Sequence, residues 1–375
     1  MDPETFAVKV ALQEGMSSLR YPHALLSAKL MTRAISLPDH WSATGWRECL
    51  RTLDLTKEQI ANVVPLMTSR DFRARTERRV QSALEHKIRI VSPGEADYPI
   101  APYANLHPPP FLYLKGPLDM PPPDVCVSVI GTRRPSPYGV KATKYMVGDW
   151  ALRGVTIVSG MAAGIDGLAH EVCLKNGGKT AAVLGCGLDI CYPRDNRNVF
   201  DALSARGLLI SEYPPLTPPR KQHFPARNRL ISVLSDALVV IEAARKSGTM
   251  ITTNFALDQG KEVLALPGTI YSPTSQGTNH LLREGATPLL EPQDLLPYLS
   301  GHRLLAESEN EPTDDLNLST KRGDSELTSL LSAGPLTVAE LKIASRLPEE
   351  VFFDHLMRHE ISGEISKTAG KYHLS

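Results

Sequence analysis

A short basic segment is the part of the sequence best suited to contact a polyanion. Residues 217–230 read TPPRKQHFPARNRL, contain no acidic side chain and place Phe224 among the charges. Cations neutralise a phosphate backbone and an aromatic face lets a base stack, so this mixture suits a single nucleic acid strand. The alternative is an ordinary solvated loop. The basic side chains are Arg220, Lys221, His223, Arg227 and Arg229.

Three turns rich in small residues could also bind phosphate. After the run VCVSVIG, the chain continues as TRRPSPYG, so Arg133 and Arg134 precede a predicted helix. Backbone N–H groups at such a turn attract anions, and guanidinium groups add paired donors. Residues 159–166, SGMAAGID, form a similar turn, and Ser247-Gly248-Thr249 is predicted to cap a helix with hydroxyls. An ordinary strand–helix connection is the alternative for the first turn, and the third alone is weak evidence because Ser and Thr are common helix caps.

Standard nucleotide and metal motifs are absent from these turns. The sequence has no GxGxxG with an acidic residue ending the second strand, and no GxxxxGK[ST]. We therefore expect no cofactor. Asp166 and His170 lie four residues apart without a third ligand, a pattern more typical of a capped, solvated helix start than of a metal site.

Short, continuously apolar runs supply the elements that would position these turns. The runs VCVSVIG, VTIVSG, AAVLGCG, GLLISEY, ALVVIEA and EVLALPG are separated by glycine-containing loops and helix-length stretches. This alternation predicts parallel strands buried on both faces, and hence an α/β, doubly wound Rossmann-like parallel sheet. The carboxyl ends of its strands should bring the turns to one edge.

The sequence pattern divides the chain into five predicted segments. Residues 1–90 show helical periodicity, and 91–124 form a proline-rich connector before the Rossmann-like domain at 125–300. Residues 301–323 read as an acidic flexible linker. The tail, 324–375, fits three helices and a hairpin, as in a winged helix, and its acidic helix at 348–360 favours a protein-interaction role.

Composition sets broad limits on partners and location. The 375 residues include 41 basic and 41 acidic side chains, so a local patch would have to hold any polyanion. The five cysteines form no CxxC pair and are expected to be reduced core thiols. No targeting segment or membrane-spanning run is apparent, so a cytoplasmic protein is expected.

Six blocks in order give the chain a close resemblance to the DprA/Smf family. They are SVIGTRRPSPYG, SGMAAGIDGLAH, LGCGLDICYPRDN, FPARNRLIS, ARKSGTMITTNFALDQGKEVLALPG and GTNHLLREGA. The resemblance implies a protein that binds and protects single-stranded DNA, dimerises through the Rossmann-like domain, and loads the recombinase RecA during natural transformation. It implies no catalytic reaction. The matching positions imply a DNA groove formed by Arg133, Arg134, Ser159, Gly160, Gly164, Lys221, Phe224, Arg227 and Arg229, with Ser247 and Thr249 at the same edge.

Two rival functions use the same elements. A nucleotide-processing enzyme similar to the phosphoribohydrolases would need a PGGxGTxxE-type segment, but here a threonine stands in the place of the glutamate and Glu242 precedes the turn. A winged-helix transcription regulator would bind specific duplex DNA, for which an acidic recognition helix is poorly suited.

Overall fold

The computed structural model describes most of the chain. The described residues are 3–19, 26, 41–53, 55–100, 108–117, 125–299, 330–331, 334–345, 352, 356, 359, 365–368 and 371–374. They belong to two compact units, Met1–Leu305 and Ala306–Ser375. The predicted acidic linker at 301–323 lies outside the described residues.

A mixed sheet of nine strands organises the described part of the first unit. In space the strands follow the order β1-β2-β6-β5-β4-β3-β7-β8-β9. The seven strands from β6 to β9 pair in parallel, whereas β1 and β2 form an antiparallel edge. The strands are β1 Arg89–Val91, β2 Leu112–Lys115, β3 Cys126–Ile130, β4 Thr156–Ser159, β5 Thr180–Leu184, β6 Leu208–Ser211, β7 Ala237–Val240, β8 Glu262–Ala265 and β9 Thr287–Pro288.

The predicted α/β, doubly wound sheet is confirmed, with one addition. The six apolar runs all form buried parallel strands. The antiparallel edge was not predicted, because β2 lies in the segment expected to be a proline-rich connector. Its pairing partner, β6, is about 95 residues further along the chain.

Helices cover both faces of the sheet. None of those described is long and apolar enough to cross a membrane. The helices of the first unit are α1 Pro3–Ser18, α2 Ala43–Arg51, α3 Lys57–Met67, α4 Arg70–Glu85, α5 Pro137–Leu152, α6 Ile165–Lys175, α7 Arg197–Arg206, α8 His223–Val233, α9 Gly248–Asp258 and α10 Gln276–Arg283.

Each face of the sheet has its own hydrophobic core. On one face Val127 and Val129 of β3 pack with Trp150 of α5, and on the other Ile130 packs with residues of α8, α9 and α10. The first four helices are not separate from the sheet, because Leu12 of α1 shares a core with Leu209 of β6. Helices α5 and α9 therefore leave the neighbouring strands β3 and β7 on opposite faces, which creates a crevice at the carboxyl ends of these two strands.

The second unit contains a small core around a hairpin. Helix α11 Val338–Ser345 precedes strands β10 Ile365–Thr368 and β11 Lys371–Leu374, which pair antiparallel. Leu336 bridges to Tyr372 of β11. This helix and hairpin agree with the predicted winged-helix-like order, while the acidic side chains expected at 348–360 lie outside the described residues.

Candidate functional site

A cleft of about 640 Å³ opens at the crevice between β3 and β7. Its walls come from the turns that follow five strands, β3 to β7, as expected for the carboxyl edge of a doubly wound sheet. Turns that are far apart in the sequence thus meet around one space. Six of the residues predicted for the site line the cleft, namely Arg133, Lys221, Phe224, Arg227, Ser247 and Thr249.

Exposed cations line the cleft on two of these turns, and a third turn carries one beside a lining residue. Arg133 follows β3, Lys221 precedes α8, and Lys246 lies on the turn after β7, where Ser247 reaches the cleft. Within the described part of the chain, no carboxylate forms an ion pair with these three side chains. Lys246 and its neighbour Arg245 were not predicted as site residues, although both directly precede the predicted Ser-Gly-Thr turn.

Two aromatic rings pair at one wall of the cleft. The rings of Phe224 and Tyr192 have centroids 5.4 Å apart and are tilted by 34°. Phe224 is half-buried at the start of α8, and a Cβ atom added to Gly185 would come within 3.1 Å of its ring, so the glycine makes room for it. Tyr192 remains 43% exposed. It was missed as a site residue because its partner lies 32 residues away in the sequence.

Arg227 forms part of the cleft floor and holds neighbouring strand ends together. Its guanidinium group is buried and donates hydrogen bonds to the carbonyl of Gly160, at 2.7 Å, and to the carbonyl of Val183. Burial lowers its pKa to about 10, and the nearby Asp166 carboxylate opposes this change. Arg227 therefore stays protonated at neutral pH and places a fixed positive charge beneath the cleft.

The predicted solvated helix start at Asp166 and His170 is wrong, because both side chains are buried. Asp166 accepts a hydrogen bond from the N–H of Gly160 at 3.2 Å, and burial raises its pKa. His170 Nδ1 lies 2.7 Å from Thr180 Oγ1, and burial lowers the pKa of the imidazole to about 3. No cluster of three potential metal ligands occurs among the described residues.

The second predicted turn, residues 159–166, supports the loop that follows β3. Ser159 is buried and its hydroxyl donates to the carbonyl of Val129 at 2.6 Å. Gly164 has a φ of +84°, and a Cβ atom there would come within 2.3 Å of the Thr132 carbonyl oxygen. The turn thus packs closely against the loop after β3, which explains the need for glycine at this position. Neither Ser159 nor Gly160 lines the cleft.

Two of the predicted arginines do not line this cleft. Arg134 is exposed on the turn after β3, beside Arg133. Arg229 lies on the other side of α8 and forms an ion pair with Glu212. The expectation that Arg227 and Arg229 share one groove is wrong, because both lie on α8 and side chains two residues apart on a helix point in nearly opposite directions.

Ser247 occupies the N-cap position of α9, but its side chain makes no cap hydrogen bond. The predicted hydroxyl cap is therefore wrong. Ser247 Oγ is buried without a hydrogen-bond partner among the described residues, whereas Thr249 Oγ1 donates to the Gly131 carbonyl at 3.3 Å. A helix N-terminus with an unpartnered hydroxyl at a cleft wall is well suited to accept an anion.

Glu242, which precedes the turn after β7, is buried and hydrogen-bonded. Its buried carboxylate accepts hydrogen bonds from the N–H and hydroxyl of Ser136, at 2.9 and 2.6 Å, and from Thr274 Oγ1 at 2.9 Å. Ser136 is the N-cap of α5, so this carboxylate stabilises the start of that helix.

Comparison with known proteins gives consistent matches. A family model described as DNA recombination-mediator protein A matches residues 89–300. The DNA processing protein DprA of Bacillus subtilis is 33% identical over 245 residues, which are 65% of this chain and 82% of that protein. DprA of Streptococcus pneumoniae is 43% identical over 170 residues, covering 45% of this chain and 60% of that protein.

Two solved structures agree with this assignment. The X-ray structure of DprA from Streptococcus pneumoniae matches with a TM-score of 0.58 and 34% identity, covering 67% of this chain and 89% of that one. A structure describing the single-stranded DNA binding mode of DNA processing protein A from Helicobacter pylori matches with a TM-score of 0.50 and 32% identity, covering 59% and 97%. Because the family model spans more than half of the sequence, the chain belongs to the DprA/Smf family of DNA processing proteins.

Proposed function

We propose that the cleft between β3 and β7 binds single-stranded DNA. The observation that carries this proposal is that the exposed cations Arg133 and Lys221 line the same cleft as the ring pair of Tyr192 and Phe224. Phosphates would lie against Arg133, Lys221 and the N-terminus of α9. A base would stack on the aromatic wall, an interaction worth roughly 1–3 kcal/mol.

The aromatic wall favours a single strand over a duplex. Bases in a duplex are stacked on their neighbours, so a ring recessed in a cleft can reach a base only after local unpairing, which costs a few kcal/mol. A flexible strand has no such cost and can turn its bases inward. The similarity to the Helicobacter pylori protein, whose structure concerns single-stranded DNA binding, supports the same ligand class for this chain.

We further propose that the protein acts as a homodimer that protects the bound strand and loads RecA onto it. These partners rest on the family resemblance. The role of the cleft would then be binding and not catalysis, which agrees with the commitment of Glu242 and Asp166 to structural hydrogen bonds.

The salt dependence of binding tests the electrostatic part of this proposal. If three to six phosphates are held, the log–log plot of affinity against salt should have a slope of roughly −2 to −4, at about −0.7 per contact on a single strand. The measurement is fluorescence anisotropy of a labelled oligothymidylate with the full chain. Lys175→Ala, on an exposed side chain paired with Glu171, is the matched control and should keep the slope. A flat response would refute the proposal.

A further inference from the structure

Helix α8 separates the cleft described above, here the first cleft, from a second one of about 660 Å³. Phe224 and Arg227 face the first cleft, whereas Ala226 and Arg229 face the second. The opposite wall of the second cleft consists of side chains from α1 and α4, including Arg75. The N-terminal helices thus form a cavity directly behind the segment that we assign to DNA binding.

Among the described residues, the second cleft carries more cations than carboxylates. Arg75 and Arg79 both contact the single carboxylate of Glu14, and Arg75 Nε lies 3.1 Å from Glu14 Oε2. Arg229 is paired with Glu212. Three guanidinium groups therefore share two carboxylates. Arg75 is 44% exposed and keeps further N–H donors in its planar fork, which suits a phosphate oxygen.

Each cleft has a pair of aromatic rings near the N-terminal end of α8. Tyr213 lines the second cleft and stacks on His223, with centroids 4.0 Å apart and a 19° angle between the rings. His223 is followed by Phe224, which pairs with Tyr192 in the first cleft. The two ring pairs therefore include neighbouring residues at the N-terminal end of α8, where exposed Lys221 also lies.

One wall of the second cleft also holds an unpartnered polar atom. Thr217 Oγ1 is buried and has no hydrogen-bond partner within the described part of the chain. Burying a hydroxyl without a partner is costly, so such a group is often completed by a ligand or a water molecule.

We infer that a single strand held in the first cleft continues across the N-terminal end of α8 into the second cleft, where Arg75 and Arg229 contact its phosphate backbone. The inference rests on the proposed function and extends the binding site to the N-terminal helices. The two ring pairs supply stacking surface at both ends of the crossing, and the excess positive charge attracts the next phosphates.

Oligonucleotide length tests the inference. Labelled oligothymidylates from about 4 to about 16 nucleotides, the range of known single-strand site sizes, are titrated into the full chain. Short strands should occupy the first cleft alone. Longer strands should reach the second cleft, bind more tightly, and show a salt slope steeper by roughly 0.7 for each added phosphate contact.

Matched variants on α4 locate the added contacts. Arg75→Ala should weaken binding of the longest strand by up to about tenfold and leave the shortest strand unaffected. Arg73→Ala is the control, because Arg73 pairs with Glu77 and lies over the ring of Trp41, outside the second cleft. Ser17→Glu adds a carboxylate at an exposed position of the second cleft without removing an ion pair, and should have the same length-dependent effect even if Arg75→Ala destabilises the helices.

The outcomes separate this inference from the proposed function. If Arg75→Ala and Ser17→Glu bind every length as the parent does, while Lys221→Ala weakens the shortest strand, the second cleft is not part of the site and the proposed function stands. If Arg73→Ala and Arg75→Ala weaken long strands equally, the effect is general charge and the inference fails. If no strand of any length binds, the proposed function itself is wrong.

Discussion

The side chain of Phe224 gives the sharpest test of how the first cleft reads a strand. If its ring stacks on a base, Phe224→Ala should cost roughly 1–3 kcal/mol of binding, or about 5- to 150-fold in affinity. Phe224→Trp should be tolerated. The structure refines the stability effect: a fully buried phenylalanine would lose about 3–5 kcal/mol on truncation, but this ring is half-buried, so about 2 kcal/mol is expected.

Two measurements on the same variants separate stacking from packing. Anisotropy with an oligothymidylate reports binding, and urea unfolding of the free protein reports the free energy of unfolding. Lys221→Ala should behave differently, because losing a phosphate contact should reduce the salt slope by about 0.7 with little change in stability. Tyr145→Ala, at an aromatic side chain that is 57% exposed outside the cleft, should bind as the parent does. Unchanged affinity of Phe224→Ala, with a stability loss above about 3 kcal/mol, would refute the stacking role.

Three further predictions follow from the same structure. Ser247→Ala should lower single-strand affinity by up to about tenfold without loss in urea unfolding, because the hydroxyl has no described partner to lose; parent-like affinity would remove it from the site. Deleting residues 301–375 should leave single-strand affinity in anisotropy largely unchanged, and a loss of about a hundredfold would show that the tail takes part. The pKa of His170 is about 3 when folded and about 6.5 when unfolded, so the unfolded chain takes up the proton first as pH falls. Stability should therefore decline below pH 6.5 by up to about 1.4 kcal/mol per pH unit, and His170→Gln should flatten the decline in urea unfolding; an equal decline in both proteins would contradict this.

The sheet was predictable because its strands carry their own signal. A strand buried on both faces, such as Val127 to Ile130, must be apolar throughout, and six such runs separated by helices leave few alternatives. The strands of the antiparallel edge, β1 and β2, are not part of these apolar runs. The sequence LYLK in β2 becomes a strand through its pairing with β6, a contact that local propensity does not encode.

The turns that form the candidate site could be predicted from the sequence, but the directions in which their side chains point could not. Arg133 and Lys221 line the cleft because strand ends meet at one edge. Arg229 does not line this cleft, because it lies on the side of α8 that faces the second cleft. Ser159 does not line it either, because its side chain is buried and bonded to the Val129 carbonyl. Tyr192 joins Phe224 only through the fold. The buried His170 ring likewise contacts Thr180, which lies on the strand that follows its helix, so this contact arises only through the fold.

Competition between single-stranded and duplex DNA of one sequence tests the central claim most directly. In a mobility-shift assay with the full chain, unlabelled single strand should displace a labelled single strand at about a tenfold lower concentration than the duplex, because a recessed ring can stack on an unpaired base at no cost of unpairing. Phe224→Ala should reduce this preference. Equal or better competition by the duplex would contradict single-strand binding in the cleft between β3 and β7.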